Sequence, residues 1–201
     1  MIRRVRPIPS ERRTFMDNGA SSYRRFRENR DESGLVEIIT QYRDGLILYL
    51  TSIVGSISTA EDLAEDTFVL IGTKKPKDRG KSSFKTWLYT IGRNIAIDYL
   101  RRNKKHSEIP LDDVPELTQD ECDLEQIYIQ EEQKITIHRA LRQLKAEYKQ
   151  VLWLEYFEQL SMKETAKLMK KSVHSTEMLA SRARKALRAQ LEKEGINNEG
   201  L

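Results

Sequence analysis

Residues 160–188 read LSMKETAKLMKKSVHSTEMLASRARKALR. Ser161 and Glu164 stand at the spacing of a capping box, in which a hydroxyl and a carboxylate satisfy the first N–H groups of one helix reciprocally. Thr165, Ala166, Leu168 and Met169 supply an inner face, and only about three residues separate this short helix from the next, which is helix-turn-helix geometry. Small Ala166 lets the second helix cross closely, and Val173, Ala180, Ala183 and Leu187 pack it down. His174, Ser175, Glu177, Met178, Ser181, Arg182, Arg184 and Lys185 then remain for a groove. The same pattern also suits two helices of an ordinary bundle with a charged outer face. Eight basic against two acidic residues in 163–188 shift the weight toward DNA, because a recognition helix reads base edges and anchors on phosphate through Arg and Lys.

The rest of the chain bounds this reading. Its 201 residues suffice for one medium or two small domains without staples. The 35 basic and 31 acidic residues leave a net charge of +4, too mild to argue for nucleic acid without the local distribution. Residues 1–34 hold nine Arg against five acids, whereas 103–125 hold two Lys against eight acids. Cys122 is the only cysteine, so no intramolecular disulfide or thiolate cage forms and a reducing cytoplasm is expected. His106, His138 and His174 lack metal-ligand spacing, and no glycine-rich phosphate cradle or nucleophilic triad is suggested. No metal, cofactor or catalytic residue is therefore expected, and the chain is not read as an enzyme. The charged N-terminus does not suit a secretory signal, and no apolar run approaches a membrane span.

Proline is confined to Pro7, Pro9, Pro76, Pro110 and Pro115, and apolar residues between them recur at spacings of three and four, as in Leu35, Ile38, Ile39, Tyr42, Leu46, Tyr49, Leu50 and Ile53. The fold class is all-α. A helix over 34–54 precedes a second over 60–71, whose start Thr59 and Asp62 are expected to cap. The loop GTKKPKDRGKSS, 72–83, sets Lys74, Lys75, Lys77, Arg79 and Lys81 against Asp78, and Ser82 or Ser83 caps the helix over 84–102. In that helix Phe84, Leu88, Ile91, Ile95 and Tyr99 form the expected core stripe. Two small helical domains result, a three-helix unit over 35–102 and a helix-turn-helix unit over 131–195, joined by a flexible acidic linker over 103–130. In the second unit Ile135, Leu141 and Leu144 lie on one helix and Tyr148, Val151, Leu152 and Phe157 on the next. Residues 1–34 read as an Arg-rich extension, either a disordered, solvated tail or an arm that contacts phosphate.

Taken in order, STAEDLAEDTFVLI (58–71), FKTWLYTIGRNIAIDYLRR (84–102), LRQLKAEYKQVLWLEYFEQLSMKETAKLM (141–169) and ASRARKALR (180–188) resemble the extracytoplasmic-function (ECF) sigma factors of the sigma-70 family, over about residues 35–190. The resemblance implies a factor that binds core RNA polymerase and directs initiation at promoters. It implies that the helix with Glu61, Asp62, Leu63, Glu65, Asp66 and Phe68 docks on the clamp coiled coil of the largest polymerase subunit. It places contacts to the minus-ten element, as separated strand, on Lys81, Lys85, Trp87, Asn94, Asp98, Arg101 and Arg102, and minus-thirty-five contacts on the second helix of the helix-turn-helix. An anti-sigma factor is implied as a further partner. Lys170 departs from the pattern, standing where glycine is usual, and Glu177 and Leu179 stand where basic residues are common. From the residues alone, a repressor or activator using only the helix-turn-helix, or a helical adaptor with no DNA role, remain open.

Overall fold

The computed structural model describes residues 18–78, 80–104, 140, 141 and 143–193. The first group of helices is α1 (Gly19–Asn29), α2 (Glu32–Val54), α3 (Ile57–Lys74) and α4 (Phe84–Lys104). The second is α5 (Ala146–Leu152), which widens into a π-type turn over Trp153–Phe157, then α6 (Met162–Met169) and α7 (Val173–Lys193). All-α architecture is as expected, with no strand among the described residues. The predicted helix carrying Ile135 and the linker beyond Lys104 lie outside them, as do His106, Cys122 and His138.

Short polar caps set the helix starts. Asp31 accepts from Ser33 N at 3.1 Å to open α2, which ends on Gly55 at φ 80°. Ser56 is extended and accepts from Thr59 N at 3.3 Å. The cap of α3 is thus Ser56, not the predicted Thr59 with Asp62, because the left-handed Gly55 frees the very next residue to restart a helix. Ser83 accepts from Thr86 N at 3.3 Å and opens α4, as one of the two expected serines.

Residues 18–34 correct the reading of the N-terminal extension. They form α1 and the first residues of α2, and Tyr23 and Phe26 of α1 are buried core residues. A Cβ at Gly34 would lie 2.3 Å from the Ser22 carbonyl oxygen, so only glycine permits this crossing. Two aromatics on one face of a short helix suffice to dock it, whatever its three arginines do outside.

In α4, besides Thr86 in the first turn, the buried arc is Phe84, Leu88, Tyr89, Gly92 and Ala96, displaced by about one position from the predicted stripe along most of its length. Ile91, Ile95 and Tyr99 are only half-buried. The reason is tertiary: α2 and α3 pack on one side of α4 and α6 on another, so the centre of burial rotates to the arc that faces both. Buried apolar residues of both helix groups belong to one continuous cluster, with α2 also packed on α5.

The turn between α6 and α7 passes through Lys170 at φ 56°, ψ 41°, and Lys171 N donates to Ala166 O at 2.9 Å. Left-handed backbone at a non-glycine residue costs about 1 kcal/mol or more. Lys170→Gly is therefore expected to raise stability by about 1 kcal/mol, read as a higher urea midpoint with an unchanged denaturant slope.

Candidate nucleic-acid interface

The helix-turn-helix is built as its sequence suggests. Ser161 Oγ accepts from Glu164 N at 3.3 Å while Glu164 Oε2 accepts from Ser161 N at 3.1 Å. Ser172 opens α7, accepting from Ser175 N at 3.1 Å. Thr176, Ala180 and Ala183 are buried against the rest of the unit, so the opposite side of α7 faces water. His174, Ser175, Glu177, Met178, Arg182 and Lys185 are all exposed there and Ser181 is half-exposed.

One expectation on α7 is corrected. Val173 is exposed rather than packed down, because the first residue of the helix projects beyond the turn. Arg184 is exposed but turns back, its Nη1 2.9 Å from both carboxylate oxygens of Glu155 in the π-type turn. It braces α7 on the preceding helix as well as offering charge.

On α3, Asp62, Glu65 and Asp66 are exposed and Glu61 lies 3.7 Å from Arg43 of α2. Leu63 and Phe68, expected on the same edge, are buried. They fall with Ala64, Thr67 and Ile71 on the inner stripe and hold α3 in the core. The exposed apolar group on the acidic face is instead Val69, 52% exposed. Its spacing from Asp62, Glu65 and Asp66 is the helical signal that could have found it.

Around α4 the predicted set divides. Asp98 and Arg101 pair at 3.5 Å on the exposed side, Arg102 Nε donates to Asp98 O at 3.3 Å, and Asn94 is half-exposed. Trp87 is half-buried. Its ring lies 5.0 Å from Tyr23 and 5.3 Å from Phe84, where it knits α1 to α4. Tyr23 Oη also donates to the Pro76 carbonyl at 2.6 Å and so ties α1 to the basic loop.

At the start of α4 the two helix groups meet through polar contacts. Lys85 Nζ is 2.7 Å from Glu158 Oε2 and donates to the Glu158 carbonyl at 3.2 Å. Glu158 is buried and also accepts from Trp153 Nε1 at 3.1 Å. Glu164 Oε1 accepts from Ser83 Oγ at 2.7 Å and Thr86 Oγ1 at 3.2 Å, and Lys167 Nζ donates to the Lys81 carbonyl at 2.9 Å. No reading of the sequence singled out Glu158 or Lys167. Tyr89 is buried near this carboxylate; burial first, then the charge of Glu158, push its phenol well above the usual range.

Partial burial alone would raise the Glu164 carboxyl, but hydrogen bonds from Ser83, Ser161 and Thr86 outweigh it and hold the group below its ordinary 4.5. A carboxylate depressed in the folded state contributes stability above its unfolded pKa and loses it as pH falls through the folded value. The stability advantage of the wild-type chain over Glu164→Gln is therefore expected to shrink as pH falls from about 6 to about 3, measured by urea unfolding at each pH. Tyr23→Phe is expected to cost about 1 kcal/mol in the same assay.

Among the described residues no His, Cys, Asp and Glu cluster is arranged to hold a metal, and no helix is long and apolar enough to cross a membrane. The family model for Sigma-70 region 2 matches residues 38–106, and that for Sigma-70, region 4 matches 134–187. RNA polymerase sigma factor YlaC of Bacillus subtilis is 32% identical over 158 residues, covering 78% of this chain and 91% of that protein. ECF RNA polymerase sigma factor SigM of the same organism is 30% identical over 165 residues, covering 81% and 98%. In fold the chain is similar to the sigma factor RpoE of Bartonella quintana, solved with the anti-sigma factor NepR, at TM-score 0.60 and 20% identity over 78% of this chain and 95% of that one. With two sigma-70 regions in order on two packed helical groups, and relatives of nearly the same extent, the chain belongs to the ECF group of sigma-70 family RNA polymerase sigma factors, which direct promoter-specific initiation by core polymerase.

Proposed function

We propose that the chain distributes initiation over three surfaces. The face of α3 with Asp62, Glu65, Asp66 and Val69 meets the clamp coiled coil of the largest polymerase subunit, Glu61 flanking it beside Arg43. Support comes from a continuous acidic edge with one exposed apolar group, Val69, at its C-terminal end, which suits a basic partner helix through charge complementarity and a small buried contact.

The basic loop with Lys81, and Lys85, Asn94, Asp98, Arg101 and Arg102 of α4, hold the minus-ten element as separated strand. Extruding a base costs a few kcal/mol and phosphate contacts with polar pockets recover a similar amount. Opening is then differential binding, with no bond made or broken by this chain. Trp87 and Tyr23 act behind this surface, fixing the loop to α1.

The carrying observation is α7. His174, Ser175, Glu177, Met178, Arg182 and Lys185 project from one side while Ala180 and Ala183 are wholly buried on the other. That side is free to enter the major groove of the minus-thirty-five element, where Glu177 suits a cytosine amine and Arg182 and Lys185 suit guanine or phosphate. By analogy with the RpoE–NepR complex, a partner of the anti-sigma class governs when these surfaces are offered. The chain acts in the cytoplasm as a regulatory initiation factor rather than a catalyst.

Transcription reconstituted from core polymerase, this chain and fragments of its own genome should give discrete starts absent with core alone. No added start would sink the reading. With the promoter so found, Arg182→Ala and Lys185→Ala are each expected to weaken holoenzyme binding and to reduce the salt slope by about one.

A further inference from the structure

The contacts that join the two helix groups fall on Lys85 and on the Lys81 carbonyl, within the surface assigned above to DNA, and on Ser83 and Thr86 beside them. Ser83, Lys85 and Thr86 are donors at the start of α4, and each of them is met by a carboxylate of the other helix group, Glu158 or Glu164. Lys167 draws in the loop through the Lys81 carbonyl. A phosphate oxygen and a carboxylate oxygen ask for the same donors at the same distances. The start of α4 cannot hold both.

Gly45 shows that the seat is built into the chain. It lies mid-way along α2, where glycine weakens a helix relative to alanine, and no turn or positive φ requires it. A Cβ there would lie 2.7 Å from Glu158 Oε1 and 2.6 Å from the Tyr89 hydroxyl. The missing side chain on α2 makes room for a carboxylate carried by the other helix group. Glu158 in turn, 7% exposed, draws its compensating cation, Lys85, from across the contact, and a buried carboxylate without such a partner is strongly disfavoured.

We propose that this packed arrangement is an autoinhibited state of the free factor, in which Glu158 and Glu164 occupy on Ser83, Lys85 and Thr86 the places of promoter-strand phosphates. The proposal rests on the assignment of α4 to the minus-ten strand. Opening exposes the strand-binding surface and separates the two helix groups to reach their two promoter elements. Closing suppresses binding of stray single strands by the free chain. The apparent affinity of the free factor for a single strand is its intrinsic affinity reduced by the fraction open, and by linkage the strand must itself drive opening.

Spin labels on Gln41→Cys and Lys163→Cys in a Cys122→Ser background report the separation of α2 and α6, both positions being exposed. The otherwise unaltered chain should give a short, narrow distance distribution. Excess short single-stranded DNA of mixed sequence should broaden it. Gly45→Ala, which displaces Glu158, and Lys167→Ala, which touches no core atom, should each broaden it without DNA and keep the helical circular dichroism. In full-length unlabelled protein, Gly45→Ala should bind fluorescein-labelled single strand about tenfold more tightly, as expected if about nine-tenths of the free factor is closed, with Lys167→Ala in the same direction. A broad distribution in the unaltered chain, variants that stay closed, or opening with no gain in DNA affinity would each overturn the proposal while reconstituted transcription still succeeds. If no form directs transcription or binds the strand, the assignment of function fails and the latch falls with it.

Discussion

Glu158 is the group around which the two halves of the molecule are arranged. A carboxylate nearly out of water is tolerated only where donors replace its hydration. The indole of Trp153 supplies one from the same half, and Lys85 supplies the cation from the other. Tyr49 and Tyr89 stack at 5.5 Å beneath, and Gly45 leaves the space above. Register between the halves is thus specified by a charge that has few other places to go, with apolar packing of α2 on α5 and α4 on α6 closing around it.

Helix caps extend the same logic. Ser56, Ser83, Ser161 and Ser172 each satisfy N–H groups of the helix that follows, and none needs a distant partner to do so. Glu164 is different. One of its oxygens completes the capping box with Ser161 while the other reaches Ser83 and Thr86 at the cap of α4. A single carboxylate therefore couples the start of the helix-turn-helix to the start of α4. Local structure and long-range docking share one group, so a change in its environment is felt at both ends.

For an initiation factor this economy has a physical sense. On the proposed assignment the acidic α3 face, basic loop and α7 serve different partners, and two of those surfaces bind the same polyanion some distance apart. Like-charged surfaces on two helix groups need internal carboxylates if the groups are to rest together in the absence of DNA. The carboxylates that serve this purpose are the ones DNA would displace. Membership of the sigma-70 family accounts for the surfaces; the internal neutralisation accounts for how they sit when unused.

Much was legible from residue order alone: the helical class, the capping box at Ser161 and Glu164 and the outward side of α7 all follow from spacing and local backbone chemistry. Leu63 and Phe68 were misplaced because their apolar character was read as contact surface, although the phase of α3 turns them inward. The packing of Trp87 on Tyr23 was not legible because Tyr23 lies on a short arginine-rich helix whose charge conceals two docking aromatics. Short-range periodicity, caps and charge determined which segments are helices and which faces stay wet. Only the tertiary structure decided that α4 is buried one residue around its expected arc and that Glu158 and Glu164 meet Lys85, Ser83 and Thr86. Those choices depend on groups about seventy to eighty residues apart competing for one desolvated space, which no local pattern records.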